Sequence, residues 1–280
     1  MLPNPALERF DLRDRVIIVT GGAGLLGKEH IRTLAQSGAH AVAADIDGDS
    51  ARQVAQQASA ETGVATLALQ VDVSDKPSVT EMVRTVLDRF GRIDGLVNNA
   101  ALDPKFDAEH ASQHTHTNTF EEYPLELWNK GLAVNITGMF LCAQAVAPVM
   151  LAQGKGSMIN VSSIYGLVGP DQRLYEKDDP TAAPQFKPVI YSVTKSAVLG
   201  LTQYLAAYWG DKGIRVNTLT PGGVYNNHDE GFVRRYNART PLRRMGDKAD
   251  FAGALLFLLS DASAYMTGAN LVVDGGWTAW

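Results

Sequence analysis

Val16-Ile-Ile-Val19 is a run of β-branched residues with no polar alternation, followed at once by a glycine-rich turn over 21–24. A helical stretch then runs from Leu25 to Ser37, and Gly38 ends it. An unbroken apolar strand has to be covered on both faces, which is the condition of a parallel sheet layered by crossover helices. The unit recurs along the chain. Strand-like runs are expected at 41–45, 65–71, 93–98, 157–161, 214–219 and 270–273, with helical patterns between them that include 77–90, 125–151, 191–208 and 248–259. The fold class this implies is α/β, a mainly parallel seven-stranded sheet with helices on both faces. No internal repeat, low-complexity tract or linker divides the chain, so residues 1–280 read as one domain.

The bulk numbers exclude several classes. With 45% hydrophobic and 20% charged residues, the chain has the make-up of an ordinary globular protein. A formal charge of −5 argues against nucleic acid or an anionic membrane surface as partner. Cys142, the one cysteine, lies in an apolar run and reads as a small buried hydrophobe. The first residues lack the cationic and apolar blocks of a secretory signal, and no window reads as apolar for long enough to span a bilayer. The expected compartment is the cytoplasm.

Thr20-Gly-Gly-Ala-Gly-Leu-Leu-Gly27 follows the first strand and opens the first long helix, the context of a dinucleotide-binding turn. Glycines at 21 and 24 let a pyrophosphate approach the backbone at the helix N-terminus, where free N–H groups and the dipole favour an anion. The same spacing also occurs in strand–helix turns without a ligand. Asp45 shifts the balance, because it ends the second strand where a carboxylate can hold both adenosine ribose hydroxyls and repel a 2′-phosphate. Asp47 adds a second negative charge, and NAD is favoured over NADP.

Tyr191 and Lys195 stand four residues apart in Tyr-Ser-Val-Thr-Lys, on one face of an expected helix. An ammonium beside a phenol favours the phenolate, so Tyr191 is a candidate general base for an alcohol. Ser163 in Asn160-Val-Ser-Ser163 and Asn135 in Val-Asn-Ile-Thr precede the pair.

These residues, with Asp72-Val73, Asn98-Asn-Ala100, Pro221-Gly222 and the closing Val-Asp-Gly-Gly276, resemble the short-chain dehydrogenase/reductase family in its compact single-domain branch. The resemblance implies a doubly wound Rossmann fold and an oxidoreductase. It implies that Tyr191 exchanges the proton, Lys195 supports it and the nicotinamide ribose, Ser163 steadies the substrate oxygen, and Asn135 helps anchor a proton-relaying water. It also implies cofactor contacts from Gly21, Gly24, Leu25 and Leu26, from Asp45 and Ile46, and from Asp72 and Val73 at the adenine. Asn98 and the residues after it, Asn99 and Ala100, would support the ribose, and Pro221, Gly222 and Val224 the nicotinamide. A homotetramer built partly on the helices over 125–151 and 191–208 is implied as well. Two positions depart from the pattern: Leu25 replaces the central glycine of the compact branch, and Asn226 stands where a threonine is common. A fainter similarity, in Thr-Gly-Gly-Ala-Gly-Leu-Leu-Gly and Ser-Ser-Ile-Tyr-Gly, points to oxidoreductases of flagellin and surface-glycan modification.

Long connections at 101–124 and 165–188, with a third loop at 222–240, are expected to hold the substrate. The gap from Ser163 to Tyr191 is 28 residues, longer than the family's usual one. Asp103, Lys105, Asp107, His110, His114 and His116 make the first insertion polar, and Asp171, Arg173, Tyr175, Glu176 and Lys177 do the same for the second. Polar walls suit a sugar, sugar acid or sugar nucleotide better than a steroid or acyl chain. The histidines fit no zinc spacing, so no metal is expected. Arg239, Arg243 and Arg244 could meet an anionic substrate, though surface pairing explains them too. The expected activity is NAD-dependent transfer of a hydride at a secondary hydroxyl of a sugar-like or other polar small molecule. The alternatives are a 3-oxoacyl or small-carbonyl reductase and, in another class, a non-catalytic NAD-binding regulatory protein.

Overall fold

Every strand of the chain's computed structural model, which describes residues 5–103, 118–178, 181 and 185–280, lies in one parallel sheet. The strands are β1 (Val16–Thr20), β2 (His40–Asp45), β3 (Leu67–Gln70), β4 (Gly95–Asn98), β5 (Gly156–Val161), β6 (Ile214–Pro221) and β7 (Asn270–Val273). Their order is β3-β2-β1-β4-β5-β6-β7. The chain therefore winds outward from β1 to β3, returns, and winds the other way from β4 to β7. That reversal puts a crevice beyond the carboxyl ends of β1 and β4, the place where open parallel sheets bind ligands. In register, Ile18 stands between Val42 and Leu96. Every residue of β1, β4 and β5 is buried, which is why these strands read as continuous apolar runs.

Helices cover both faces. They are α1 (Pro5–Glu8), α2 (Leu25–Gln36), α3 (Gly48–Thr62), α4 (Lys76–Phe90), α5 (Leu125–Leu132), α6 (Gly138–Gln153), α7 (Val189–Trp209), α8 (Glu230–Arg239) and α9 (Ala252–Leu259). Met82 and Val86 of α4, Val146 and Met150 of α6, and Leu205 and Trp209 of α7 fill one core. Ile31 and Leu34 of α2, Ala51 and Ala55 of α3, and Leu255 and Leu258 of α9 fill the other. Asp47 and Asp75 cap α3 and α4 by accepting the N–H groups of Ser50 and Ser78, and Gly63 and Gly91 end them in the left-handed conformation. Cys142 is fully buried, and burial pushes its thiol up to about 12, as befits a packing group.

Three expectations need correction. The helix read over 125–151 is interrupted by a π turn at Ala133–Thr137. The 222–240 segment, read as a loop, contains α8, whose Phe232 and Tyr236 form an i,i+4 pair facing the sheet edge. The stretch Leu125–Gln153 is long and apolar enough to cross a membrane by length and composition, with a mean hydropathy of 1.6, contrary to the reading that no such window exists. Half of it is buried inside the molecule, so its place in the core accounts for its composition.

Candidate active site

One cleft of about 630 Å³ runs along the carboxyl ends of the strands and is lined by every residue expected to touch the cofactor except Asn98. At its near end Gly21 adopts a φ of +63°, and a Cβ there would come within 2.8 Å of the Ala100 Cα. The turn after β1 and the exit of β4 are laced together at this point. Asn99 Nδ2 donates to the carbonyls of Thr20 and Gly21 at 3.0 Å, and Thr20 Oγ1 accepts the N–H groups of Asn99 and Ala100 at 3.1 Å. Asn98 faces away, bonded to Asn160 inside the sheet. Gly24 begins α2 without any side-chain cap, unlike the residues that begin α3 and α4. The first-turn amides of α2 are thus open to an anion. Leu25, in place of the family glycine, lines the cleft beside Leu26.

Asp45 is held over the glycine turn, its Oδ2 accepting from Ala23 N at 2.9 Å and its Oδ1 from Asp47 N at 3.1 Å. A carboxylate oxygen has two lone pairs, so each keeps capacity for a hydroxyl. Ile46 is exposed beside it, and Asp72 and Val73 follow along the same wall, the Asp72 Oδ1 accepting from Ser74. Across the cleft, Gly222 packs so closely on Asp274 that a Cβ would lie 2.8 Å from its Cα, and Val224 pairs with Gly246. Asn226 lines the same wall. An uncapped helix end, a ribose-facing carboxylate and a glycine-tight wall in one groove fit a nicotinamide dinucleotide.

At the far end Tyr191, in the first turn of α7, shares the cleft with Ser163, whose Oγ accepts from Tyr165 N at 3.2 Å and whose hydroxyl lowers the phenol's pKa against the rise from burial. Ser162 instead donates to the Lys195 carbonyl at 2.7 Å. Tyr191 does not have the lowered pKa expected from its lysine. Burial pushes the phenol well above its ordinary range, with Asp103 adding to the rise, and burial brings the Lys195 ammonium down to about 8. The low dielectric disfavours both charged forms, and Lys195 Nζ lies 5.7 Å from the ring centre with its proton on Val161 O at 2.9 Å.

Asn135 sits in the π turn, just behind the cleft. Its Oδ1 accepts from Leu102 N at 2.7 Å, and its Nδ2 donates to Leu102 O at 3.1 Å and to Thr194 Oγ1 at 3.0 Å. With both amide hydrogens engaged, the side chain serves to hold the strand after β4 against α7.

Of the polar insertion residues expected at the substrate end, Asp103 and Tyr175 line it, joined by aromatic and apolar side chains that were not expected. Tyr165, Tyr175, Phe232, Tyr236 and Met245 line it. The charges of the second insertion are turned toward α8: Asp171 pairs with Arg239, Asp178 with Arg234 and Arg235, and Lys177 with Asp229. Of the three arginines, Arg239 and Arg244 have carboxylate partners, and Arg243 donates to Ala238 O. Lys105, Asp107, His110, His114 and His116 lie outside the described residues. The sequence reading missed Phe232, Tyr236, Met245 and Lys187 as cleft residues. The i,i+4 spacing of Phe232 and Tyr236 was the available signal for two of them.

Family models for "short chain dehydrogenase" and "enoyl-(acyl carrier protein) reductase" match residues 15–175 and 179–278. The 2,5-dichloro-2,5-cyclohexadiene-1,4-diol dehydrogenase LinX of Sphingobium indicum is 33% identical over 271 residues, covering 95% of this chain and 97% of that protein. The trans-4-hydroxycyclohexanecarboxylate dehydrogenase of Sinomonas cyclohexanicum is 35% identical, covering 95% and 93%. Among solved structures, a gluconate 5-dehydrogenase from Burkholderia cenocepacia J2315, in complex with NADP and tartrate, is similar with a TM-score of 0.83 and 31% identity, covering 98% of this chain and 99% of the other. On this fold, this cleft and these matches, the chain belongs to the short-chain dehydrogenase/reductase family and is a nicotinamide-dependent oxidoreductase acting on a CH–OH group.

Proposed function

We propose that the chain is an NAD-dependent alcohol dehydrogenase/ketone reductase acting on a secondary hydroxyl of a hydroxylated ring, a sugar or a carbocyclic diol. The observation that carries this is the tyrosine-rich wall beyond Ser163 and Tyr191. Tyrosine presents a flat apolar face to ring C–H groups and a hydroxyl to ring oxygens. The relatives named for a cyclohexadiene diol and a hydroxycyclohexane carboxylate support a ring, and the gluconate enzyme supports a polyol. Asp45 is the ground for NAD, since its carboxylate would meet the 2′-phosphate of NADP.

The cofactor, when bound, supplies the hydride acceptor and a positive ring. The chain's own residues orient and move the proton. Ser163 holds the substrate oxygen, Tyr191 takes its proton, and Lys195 stands ready to hold the ribose and stabilise the phenolate. Asn135 fixes the backbone on which the site is built.

Phe232 and Met245 favour a second reading, a small apolar ketone or 3-oxoacyl substrate. A panel of polyols, pyranoses, cyclohexanediols and 3-oxoacyl esters with NAD and NADP, followed by absorbance of the reduced cofactor, separates the two. Turnover confined to acyl ketones would reject the ring-alcohol reading. A homotetramer is part of the proposal, supported by exposed Leu125, Phe140, Tyr204 and Tyr208 on α5, α6 and α7. Light scattering of the purified protein checks it, and a monomer would refute it.

A further inference from the structure

Two charged side chains that this reading leaves unused meet at the phenol. Lys187 Nζ lies 3.9 Å from the centre of the Tyr191 ring, over its face and nearer than Lys195. The same ammonium pairs with Asp103 at 2.5 Å. The Lys187 side chain is only 12% exposed. A lysine is seldom so buried without a partner, and this one has two, a carboxylate and a π face.

Amide side chains anchor both residues. Gln172 brackets Lys187, its Oε1 accepting the backbone N–H at 2.8 Å and its Nε2 donating to the carbonyl at 3.4 Å. Asn135 brackets Leu102, the neighbour of Asp103, in the same way. Pro188 then begins α7, and the Tyr191 N–H donates to its carbonyl at 3.2 Å. The carboxylate, the ammonium and the phenol are therefore set on fixed backbone, which a chance surface pair would lack.

We propose that Lys187 and Asp103 form a charge-balanced strap that positions Tyr191, tying the segment after β4 to the start of α7 and setting the field in which the phenol exchanges its proton. Both are positioning residues. The groups around Tyr191 are Asp103 after β4, Ser163 and Tyr165 after β5, Tyr175 in the second insertion, Tyr236 on α8, and Lys187 and Lys195. Among the charged ones, Asp103 opposes the phenolate and the two ammoniums favour it. With the strap intact, Lys187 offsets part of the Asp103 charge at the phenol. Loss of Lys187 leaves a carboxylate that makes the phenol hold its proton more tightly. Loss of Asp103 has the opposite effect, and loss of both restores the balance.

This rests on Tyr191 as the acid–base group. The test is the pH dependence of kcat/KM for NAD-linked oxidation of trans-1,2-cyclohexanediol by wild type, Lys187→Met, Asp103→Asn and the double variant. The acid limb should move up by about one pH unit in Lys187→Met, down by about as much in Asp103→Asn, and back in the double variant. Lys187→Arg, which keeps the charge, should retain the wild-type profile. One common profile, with only kcat or Tm lowered, would make the strap mere scaffold and overturn the proposal. A second measurement needs no alcohol. In NAD-bound enzyme labelled with [ζ-13C]tyrosine, the Tyr191 resonance, recognised by its loss in Tyr191→Phe, should shift in opposite directions in the two single variants and return in the double. An unchanged resonance overturns the strap. A wild-type enzyme that ignores the diol while this resonance moves as expected counts against the functional reading alone.

Discussion

Lys195 Nζ donates to the carbonyl of Val161 at 2.9 Å, at the carboxyl end of β5, and not to the phenol one helical turn before it. The lysine of this pair is tied to the sheet, and the phenol shares the cleft with Ser163. A half-buried phenol and a buried ammonium that each prefer the neutral state share the site, so the cleft by itself holds the proton on Tyr191.

Proton transfer gives the first prediction. Tyr191→Phe should leave NAD affinity nearly intact and lower turnover by roughly a hundredfold or more. Because burial raises the phenol and oxidation requires it to lose a proton, alcohol oxidation should climb from pH 7 to pH 10. A flat profile in wild type, or normal turnover in the variant, would remove Tyr191 from the chemistry.

Cofactor choice is next. Asp45 should favour NAD over NADP by at least about tenfold, the effect of one lost charge-assisted hydrogen bond and one like-charge contact. Asp45→Ala should narrow that ratio. Initial rates with both cofactors measure it, and equal wild-type rates would reject the assignment.

The clasp between the second insertion and α8 should act on substrate and not on cofactor. Asp171 caps the turn at Gln172–Tyr175 and pairs with Arg239, while Asp178 meets Arg234 and Arg235. Asp171→Ala with Asp178→Ala should loosen Tyr175 from Phe232, whose rings now meet at a tilt with centres 5.5 Å apart. KM for the alcohol should rise several-fold while the Kd for NADH, read by fluorescence, stays put. A parallel loss in both would mean that the clasp supports the whole cleft.

His30 on α2 is fully buried, and neither ring nitrogen has a partner among the described residues. Burial lowers it to about 4, against 6.5 in the unfolded chain. Between these values the unfolded state binds the extra proton, so stability is complete above pH 6.5 and falls as pH drops toward 4. The loss by pH 4.5 should be roughly 2–3 kcal/mol. Urea unfolding of wild type and His30→Leu at pH 7.5 and 4.5 checks this: the variant should lose less on acidification. Equal losses would assign the acid sensitivity to other groups.

Much of the fold was legible in the chain because its central strands β1, β4 and β5 are buried on both faces, and such strands are written as apolar runs. The partly exposed edge strand β7 was bounded to the residue. The turn after β1, Asp45, Ser163 and Tyr191 were legible for a related reason: each sits at a strand end or helix start whose local pattern marks it, while Asn135 and Lys195 were legible from their place in the family's ordered motifs. What the chain did not disclose were relations between distant segments. The charges of the second insertion looked like a polar wall, yet they face arginines on α8 some 50 to 70 residues away, leaving the tyrosines to line the cleft. Asn135 was expected to help anchor a water; that its amide also brackets Leu102, 33 residues earlier, was not legible. The state of Tyr191 was read from a neighbouring charge, whereas its burial decided it. Periodicity and spacing record which face of an element is apolar. Which partner a polar side chain finds, and how far water is excluded from it, depends on elements far apart in the chain, and only the packed molecule sets it.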